Sequence, residues 1–523
     1  MGSLPNLPYG DRIKKHTTVK FGGYDHNKSA QDGAIYDMKN MTSDDYPLLS
    51  SRNRRYKVRE YNSPTSIFAH DGLYVIDGNK LILYGENGDR VLYSSLSSGE
   101  KAIAALGPYV IVVPDKIYYN KNDGTTGSLE ASFTGTASIT NGTYADEPAE
   151  LNTLQFSSGN VSSLFKEGDG VSITIAGGEE MSLIIREISG NKLVFYENTF
   201  EEAKTNVSVT VKRSMPDMDF ICTNENRLWG CKGDTIYSSK LGDPFNWNVF
   251  DGISTDSYAV DVGSAGDFTA CFSYLGYPCF FKEDHIYKVY GSRPANYQVM
   301  GSASMGVQKG CHKSLAIAGE VLFYLSRSGV VAYSGGIPQN ISSAFGSVRY
   351  VDGVSGSDGI KYYIFLTDAT GESAVFVYDT RVNLWHKEDK TPWYGYAWDG
   401  GMYVLKEDGL WLYSDASDVG EIENDIESFI EFGDFVEGDP NKKGTAKLQV
   451  RAELDAGASL KVQIMYDSDG IWSTVSTLLT PKKRSYYLPI IPHRCDHFRL
   501  RFKGNGKWTL YSLVRESYSG SEL

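Results

Sequence analysis

No run of about 18 apolar residues occurs in the chain, so no segment has the make-up of a membrane-spanning helix. The first residues, MGSLPNLPYGDRIKKHTT, lack the apolar core of a signal peptide, and export by that route is not expected. The six cysteines (Cys222, Cys231, Cys271, Cys279, Cys311, Cys495) contain no Cys-x-x-Cys spacing, which argues against a zinc site. Most sit in apolar runs such as CFSYLGYPCFF and read as buried free thiols, consistent with synthesis in a reducing cytoplasm. Catalytic signatures are missing too: no P-loop, HExxH, GxSxG or helix-opening GxGxxG is present. Basic residues are in deficit, 51 Lys and Arg against 65 Asp and Glu, and the net charge of −14 argues against wrapping nucleic acid by phosphate neutralisation.

What the chain does have is 36 Tyr and 54 Gly, the residues of strands and tight turns, with no clusters of helix formers. An internal repeat organises them. Units begin at Ser66 (SIFAHDGLYVIDGNKLILYGENG), Ala102, Asp219, Thr269 and Ser314, with looser copies from Lys361 and Tyr394. Each reads as apolar strand, turn, strand, Gly/Asp/Asn turn and a strand ending in Tyr, alternating with period two. The starts lie mostly about 35 to 50 residues apart, the spacing of propeller blades. The expected fold is therefore all-β: a β-propeller of about seven blades, with the stretch around DGAIYDMKNMTSDDYPLL near the N-terminus offering a strand to close the ring.

The interval between the second and third units is about 80 residues too long, and its alternating segments predict an inserted small β-barrel or sandwich. After the last unit an acidic stretch, DVGEIENDIESFIEFGDFVEGD, leads into short strands at sandwich spacing. The expected division is residues 1–131 for an N-terminal arm and the first blades, 132–212 for the insert, 213–420 for the remaining blades and 421–523 for a C-terminal β-sandwich. On that division, deleting 421–523 leaves a folded propeller.

Several clusters invite a chemical reading and favour a structural one. His493, Cys495, Asp496 and His497, with Arg494 among them, could ligate a metal, but they follow Pro492 as the start of a strand would. Asp467, Asp469 and Gly470 could form half a calcium loop, yet a hairpin turn needs the same residues. Trp229, Trp247, Trp385, Trp393, Trp398 and Trp411 could stack on sugars, though packing between blades uses the same rings. His285 and His312 lie beside strands. No catalytic, metal or cofactor residue is assigned, and no cofactor is expected.

Three segments carry a resemblance. FGGYDHNKSAQDGAIYDMKNMTSDDYPLLSSRNRR, NRLWGCKGDTIYSSKLGDPFNWNVFDG and YYLPIIPHRCDHFRLRFKGNGKWTLYSLVRE resemble parts of β-propeller virion proteins of tailed bacteriophages and prophages, the tail-hub or packaged-DNA stabilisation proteins and the tail-nozzle proteins. The resemblance covers most of the chain, the insert least, and brings no catalytic residues. It implies a non-enzymatic structural protein of the phage tail, made in the bacterial host cytoplasm and located in the virion. Copies would form a ring, a hexamer, around the DNA channel, retaining the packaged genome and passing it at ejection. Portal or adaptor proteins, other tail proteins and tail fibres or spikes are the implied partners, and DNA is enclosed without sequence-specific binding. Acidic residues are then expected to face the channel, with negligible affinity for free duplex. A receptor- or carbohydrate-binding tail protein using the propeller face is the alternative, and a glycosidase on a propeller scaffold a third class.

Overall fold

The computed structural model describes residues 13–27, 33–142, 152–196, 200–413, 420–424, 426–438, 441–491 and 493–519. Among these there is no α-helix, only strands and four short 3-10 turns, and no helix is long and apolar enough to cross a membrane. The architecture is a β-propeller with an inserted barrel and a β-sandwich, and the chain divides into two compact units, residues 63–312 and residues 1–62 with 313–523.

Within the 63–312 unit lie four four-stranded antiparallel sheets, at 64–93, 102–128, 220–261 and 270–303, each with its strands in chain order. Their second strands, such as Leu73–Asp77 and Tyr109–Val113, are buried on both faces, so a single sheet cannot satisfy them. Successive sheets do so by stacking. Tyr74, Ile76 and Leu81 of the first pack with Val110, Val112 and Tyr119 of the second. Ile111 and Val113 meet Leu228 and Trp247 of the third, whose Trp229 meets Phe280 and Tyr287 of the fourth. The cores lie between the sheets, which is the logic of propeller blades.

The long interval is a closed six-stranded barrel, Ala131–Thr140 to Lys204–Arg213, with its own core of Leu154, Phe156, Ile173, Ile185, Phe195 and Val211. It docks on the Gly242-Asp243-Pro244-Phe245-Asn246-Trp247 turn of the third sheet's unit. Asp169, wholly buried, accepts hydrogen bonds from Arg213 at 2.5 Å and from the Asn246 amide at 3.0 Å. The turn is braced in return: Trp247 donates to the Pro244 carbonyl at 3.0 Å and the Phe245 N–H donates to Asp243 at 2.9 Å.

The other unit holds three more blade sheets and the two sheets of the sandwich. Those at 316–340 and 350–387 are four-stranded, and the sixth begins at Tyr350, one strand before the repeat copy read from Lys361. The seventh takes only three strands from 393–413. Its fourth is Tyr56–Arg59, antiparallel to Gly409–Tyr413, with Glu421–Ile422 paired outside it. Gly409 has φ +133, and a side chain there would collide with the Arg59 carbonyl, so the close approach of the added strand requires glycine.

The N-terminal stretch therefore corrects the expected division. Ile35–Lys39 does not complete a blade; it pairs with Glu427–Phe432 in the sandwich. Met41–Thr42 pairs with Leu49–Ser51, which joins Trp508–Ser519, and Ile13–Thr18 pairs with the same long strand. The sandwich is thus built from both ends of the chain. Its five-stranded sheet runs Ile35–Lys39, Glu427–Phe432, Phe498–Asn505, Ser459–Tyr466, Ser473–Leu478, and the facing seven-stranded sheet has Arg484–Leu488 at one edge. Arg515, buried, donates to Glu437 at 2.7 Å and to the Thr18 hydroxyl at 2.9 Å, tying the first strand to the last.

Candidate functional site

A polar cavity of about 210 Å³ opens where the arm at 41–55 meets the sixth and seventh sheets. Arg52 and Arg55 enter it from the SRNRR run, both about 95 % buried. Arg52 forks onto Glu423 at 2.7 and 2.9 Å and reaches Asp389 at 3.3 Å. Arg55 pairs with Glu388, donates to the Tyr413 hydroxyl at 2.8 Å and stacks 3.5 Å from the centre of the Tyr413 ring. Planar guanidinium groups suit this combination of forked pairing and ring stacking. Burial alone would drive Asp389 and Glu423 toward neutrality, but the neighbouring guanidinium groups hold both below the usual carboxylate range. Burial pushes Lys406, over the Trp411 and Tyr413 rings, down to about 8, assisted by the positive charge of Arg55.

Opposite the arginines, Lys361 donates to Asp44 at 2.5 Å and to the Thr42 hydroxyl at 3.0 Å, while Ser43 donates to Asp379 at 2.6 Å. The arrangement is a rivet. Cations and anions from the arm, the sixth sheet and the acidic stretch after the seventh answer one another. The basic SRNRR run and the acidic DVGEIEND stretch are legible in sequence, but nothing in either reveals that Arg52 will meet Glu423, 371 positions away.

His386 also lines this cavity, and its Nδ1 has no hydrogen-bond partner among the described residues. Burial, and after it the Lys361 ammonium, push its pKa down to about 4. In the unfolded chain an imidazole titrates near 6.5, so between about pH 4 and 6.5 the unfolded state binds more protons. Stability therefore rises with pH through that window and is lost on acidification, with no further loss from this group below about 4. Urea melts across the window should show wild-type protein losing on the order of 3 kcal/mol by its acid end. His386→Gln should remove most of that slope; an unchanged slope in the variant would place the acid sensitivity elsewhere.

The two histidine and aspartate segments weighed as metal sites come together. Asp467, Asp496 and His497 offer ligand atoms within 4.8 Å of one another, the one such group of three among the described residues. Their hydrogen bonds have a structural use. Asp467 accepts from the Asp496 N–H at 2.8 Å, His497 shares one ring nitrogen with Asp496, and its other lies 2.7 Å from the Ser468 hydroxyl. With both ring nitrogens engaged, the cluster is a turn-to-turn brace. His493 instead lies against the Tyr466 ring, and Cys495 is buried. Of the tryptophans, Trp229, Trp247, Trp385 and Trp393 are core and Trp411 is half-buried, whereas Trp398 is exposed.

The sandwich presents a different kind of feature. Ser473–Leu478 and Arg484–Leu488 are the terminal strands of its two sheets, and among the described residues each lacks a neighbour on its outer side. Around these edges Ile471, Leu479, Tyr487 and Ile491 are exposed by two-thirds or more of their surface. Cations interleave with aromatic rings on the same sheet: Lys483 lies 3.6 Å from the centre of the Tyr511 ring and Lys447 4.6 Å from that of Tyr487. Residues 441–523 carry 14 Lys and Arg against 7 Asp and Glu, a local charge of +7 that leaves −21 on the other 440 residues. Open sheet edges template pairing with another chain unless they are blunted, and exposed apolar groups on them mark an interaction surface.

No family model and no curated protein matches the chain. Among solved structures it is similar to Raptor of Chaetomium thermophilum (12% identity, 70% of this chain and 29% of that one, TM-score 0.36). It is also similar to BBS1N from a complex with ARL6DN (10% identity, 70% and 99%, TM-score 0.34). An exo-β-1,3-galactanase of Phanerochaete chrysosporium follows at 8% identity, 55% and 92% coverage and TM-score 0.21. The chain spans less than a third of the length of the Raptor chain it matches. Likeness at this level says nothing of what the chain binds or does.

Proposed function

We propose that the chain is a structural, non-enzymatic subunit of a bacteriophage tail, a hub or nozzle protein whose copies assemble into a ring around the DNA channel. The observation that carries this reading is the sandwich edge: strands open on one side among the described residues, exposed apolar side chains and a charge of +7 on a chain that is otherwise −21. A cationic edge on an acidic body is complementary to the body of another copy, which gives head-to-tail contacts their charge match. In the virion, portal or adaptor proteins and tail fibres would be the neighbouring partners, and the acidic excess would let DNA slide past without adhering.

Tyr487→Glu with Ile491→Asp puts two carboxylates on this edge and touches no buried group. Sedimentation of the full chain should show salt-sensitive association in the wild type, weakened at least tenfold in the double variant. Gel-shift titration at physiological salt should show no micromolar binding to duplex DNA. Equal association by both proteins, or tight duplex binding through the cationic face, would contradict the reading. The second reading, a receptor- or carbohydrate-binding tail protein, is favoured by one feature, the half-exposed Trp398 ring on the seventh sheet. Glycan binding lost in Trp398→Ala would support it.

A further inference from the structure

Cys222 and Cys271 sit on the first strands of consecutive sheets, Phe220–Asn224 and Ala270–Tyr274, which stack without sharing hydrogen bonds. Their Sγ atoms are 2.9 Å apart, the two residues being 49 positions apart in the chain. A disulfide bond is about 2.05 Å long, so an approach of roughly 0.9 Å separates the dithiol from the bonded state. The remaining cysteines are placed differently. Cys231 and Cys279 are wholly buried, and burial raises both thiols, Cys279 to about 12. Cys311 and Cys495 are also buried. Cys222 is the one of the six that solvent partly reaches.

We propose that Cys222 and Cys271 form a redox site: a peroxide joins them in a disulfide that staples the third sheet to the fourth, and a thiol reductant reopens it. The partly exposed residue reacts first. The Cys222 thiolate attacks one peroxide oxygen, the O–O bond breaks, and sulfenic acid forms as hydroxide leaves. The Cys271 sulfur then attacks the Cys222 sulfur; the S–O bond breaks, and the departing oxygen takes up the Cys271 proton and leaves as water. Overall two thiols and one hydrogen peroxide give one disulfide and two waters. Cys271 is the second to react. Burial and the adjoining Cys222 raise its thiol, so it keeps its proton and meets oxidant only through its partner. In a reducing compartment the pair stays open, and outside one it closes.

The test uses the folded full chain, treated with hydrogen peroxide, then denatured and alkylated with a maleimide. Four of the six thiols should be alkylated, the unalkylated protein should be two hydrogens lighter, and peptide mapping should recover one link, Cys222 to Cys271, that dithiothreitol reverses. The oxidised protein should melt several degrees higher, because a link closing a loop of this length restricts the unfolded chain. Cys222→Ser, at a partly exposed position, should leave five alkylated thiols before and after peroxide and no shift in melting. The proposal fails if peroxide leaves all six thiols free or if Cys222 proceeds to sulfinic acid while Cys271 remains alkylated. It fails equally if the link joins Cys222 to Cys231, to Cys279 or to a second chain.

Discussion

Deleting residues 421–523 is expected to leave aggregate in place of folded, monodisperse protein, although the repeat pattern alone suggests that a folded propeller should remain. The arm explains the difference. Three of the strands between Ile13 and Ser51 pair with strands of the deleted segment, and Met41–Thr42 pairs with one of those three. Phe21, Ile35, Met38, Met41 and Leu49, each at most 1% exposed, would lose much of their cover. At about 1.5–3 kcal/mol per large apolar side chain, that exposure rivals the whole stability of a domain. Glu423 would go as well, leaving Arg52 buried without its principal carboxylate. Size-exclusion chromatography should find the truncated chain in the void volume. A chain reduced to residues 52–423, which removes the arm with the sandwich and keeps Glu423, should recover a large soluble fraction. Equal solubility of the two would mean that the arm does not depend on the sandwich.

Arg55→Ala should be the most damaging single substitution outside the apolar core, costing about 3–5 kcal/mol. It strands Glu388 and removes the guanidinium that stacks on Tyr413 and lies 3.7 Å from Asp389. Arg55→Lys should recover little, since an ammonium cannot pair with Glu388, bond Tyr413 and cover its ring from one position. The sign with pH follows from Asp389 and Glu423. Their pKa values are lowered in the fold, so the stability they contribute is present above about pH 4 and is lost as pH falls through the folded values. Urea melts of wild type and Arg55→Ala should therefore converge on acidification. A difference under 1 kcal/mol at neutral pH would mean that the rivet is idle.

The sequence made the blades visible because each is local: Leu73–Asp77 finds its partners within about ten residues, and alternation with turn residues is enough to read them. The sixth sheet's first strand, Tyr350–Ser357, escaped because its YVDGVSGS sequence is mostly Gly, Ser and Asp, with little apolar alternation. Misplacement of the arm has another cause. Ile35–Lys39 alternates like any blade strand, and alternation states which face is buried without saying against what; its partner lies near Phe432, almost 400 residues on. The same limit hid the rivet and the thiol pair. Arg52 and Glu423, or Cys222 and Cys271, are ordinary residues in their own segments, and only stacking of sheets joins them. Asp467 and His497 were each singled out as separate turn or metal candidates, and their meeting depends on the sandwich's own pairing. The +7 segment was legible from composition, but its open edges belong to the topology.

Electron-microscopic imaging of the purified full chain and of the virion that contains it tests the central claim most directly. The account predicts closed rings of identical subunits around an axial channel. Each contact should bury well over about 1,000 Å² and use the edge formed by Ser473–Leu478 and Arg484–Leu488 against an acidic face of the next copy. Subunits that stay single at high concentration, or that lie peripherally on the tail with this edge turned to solvent, would contradict it.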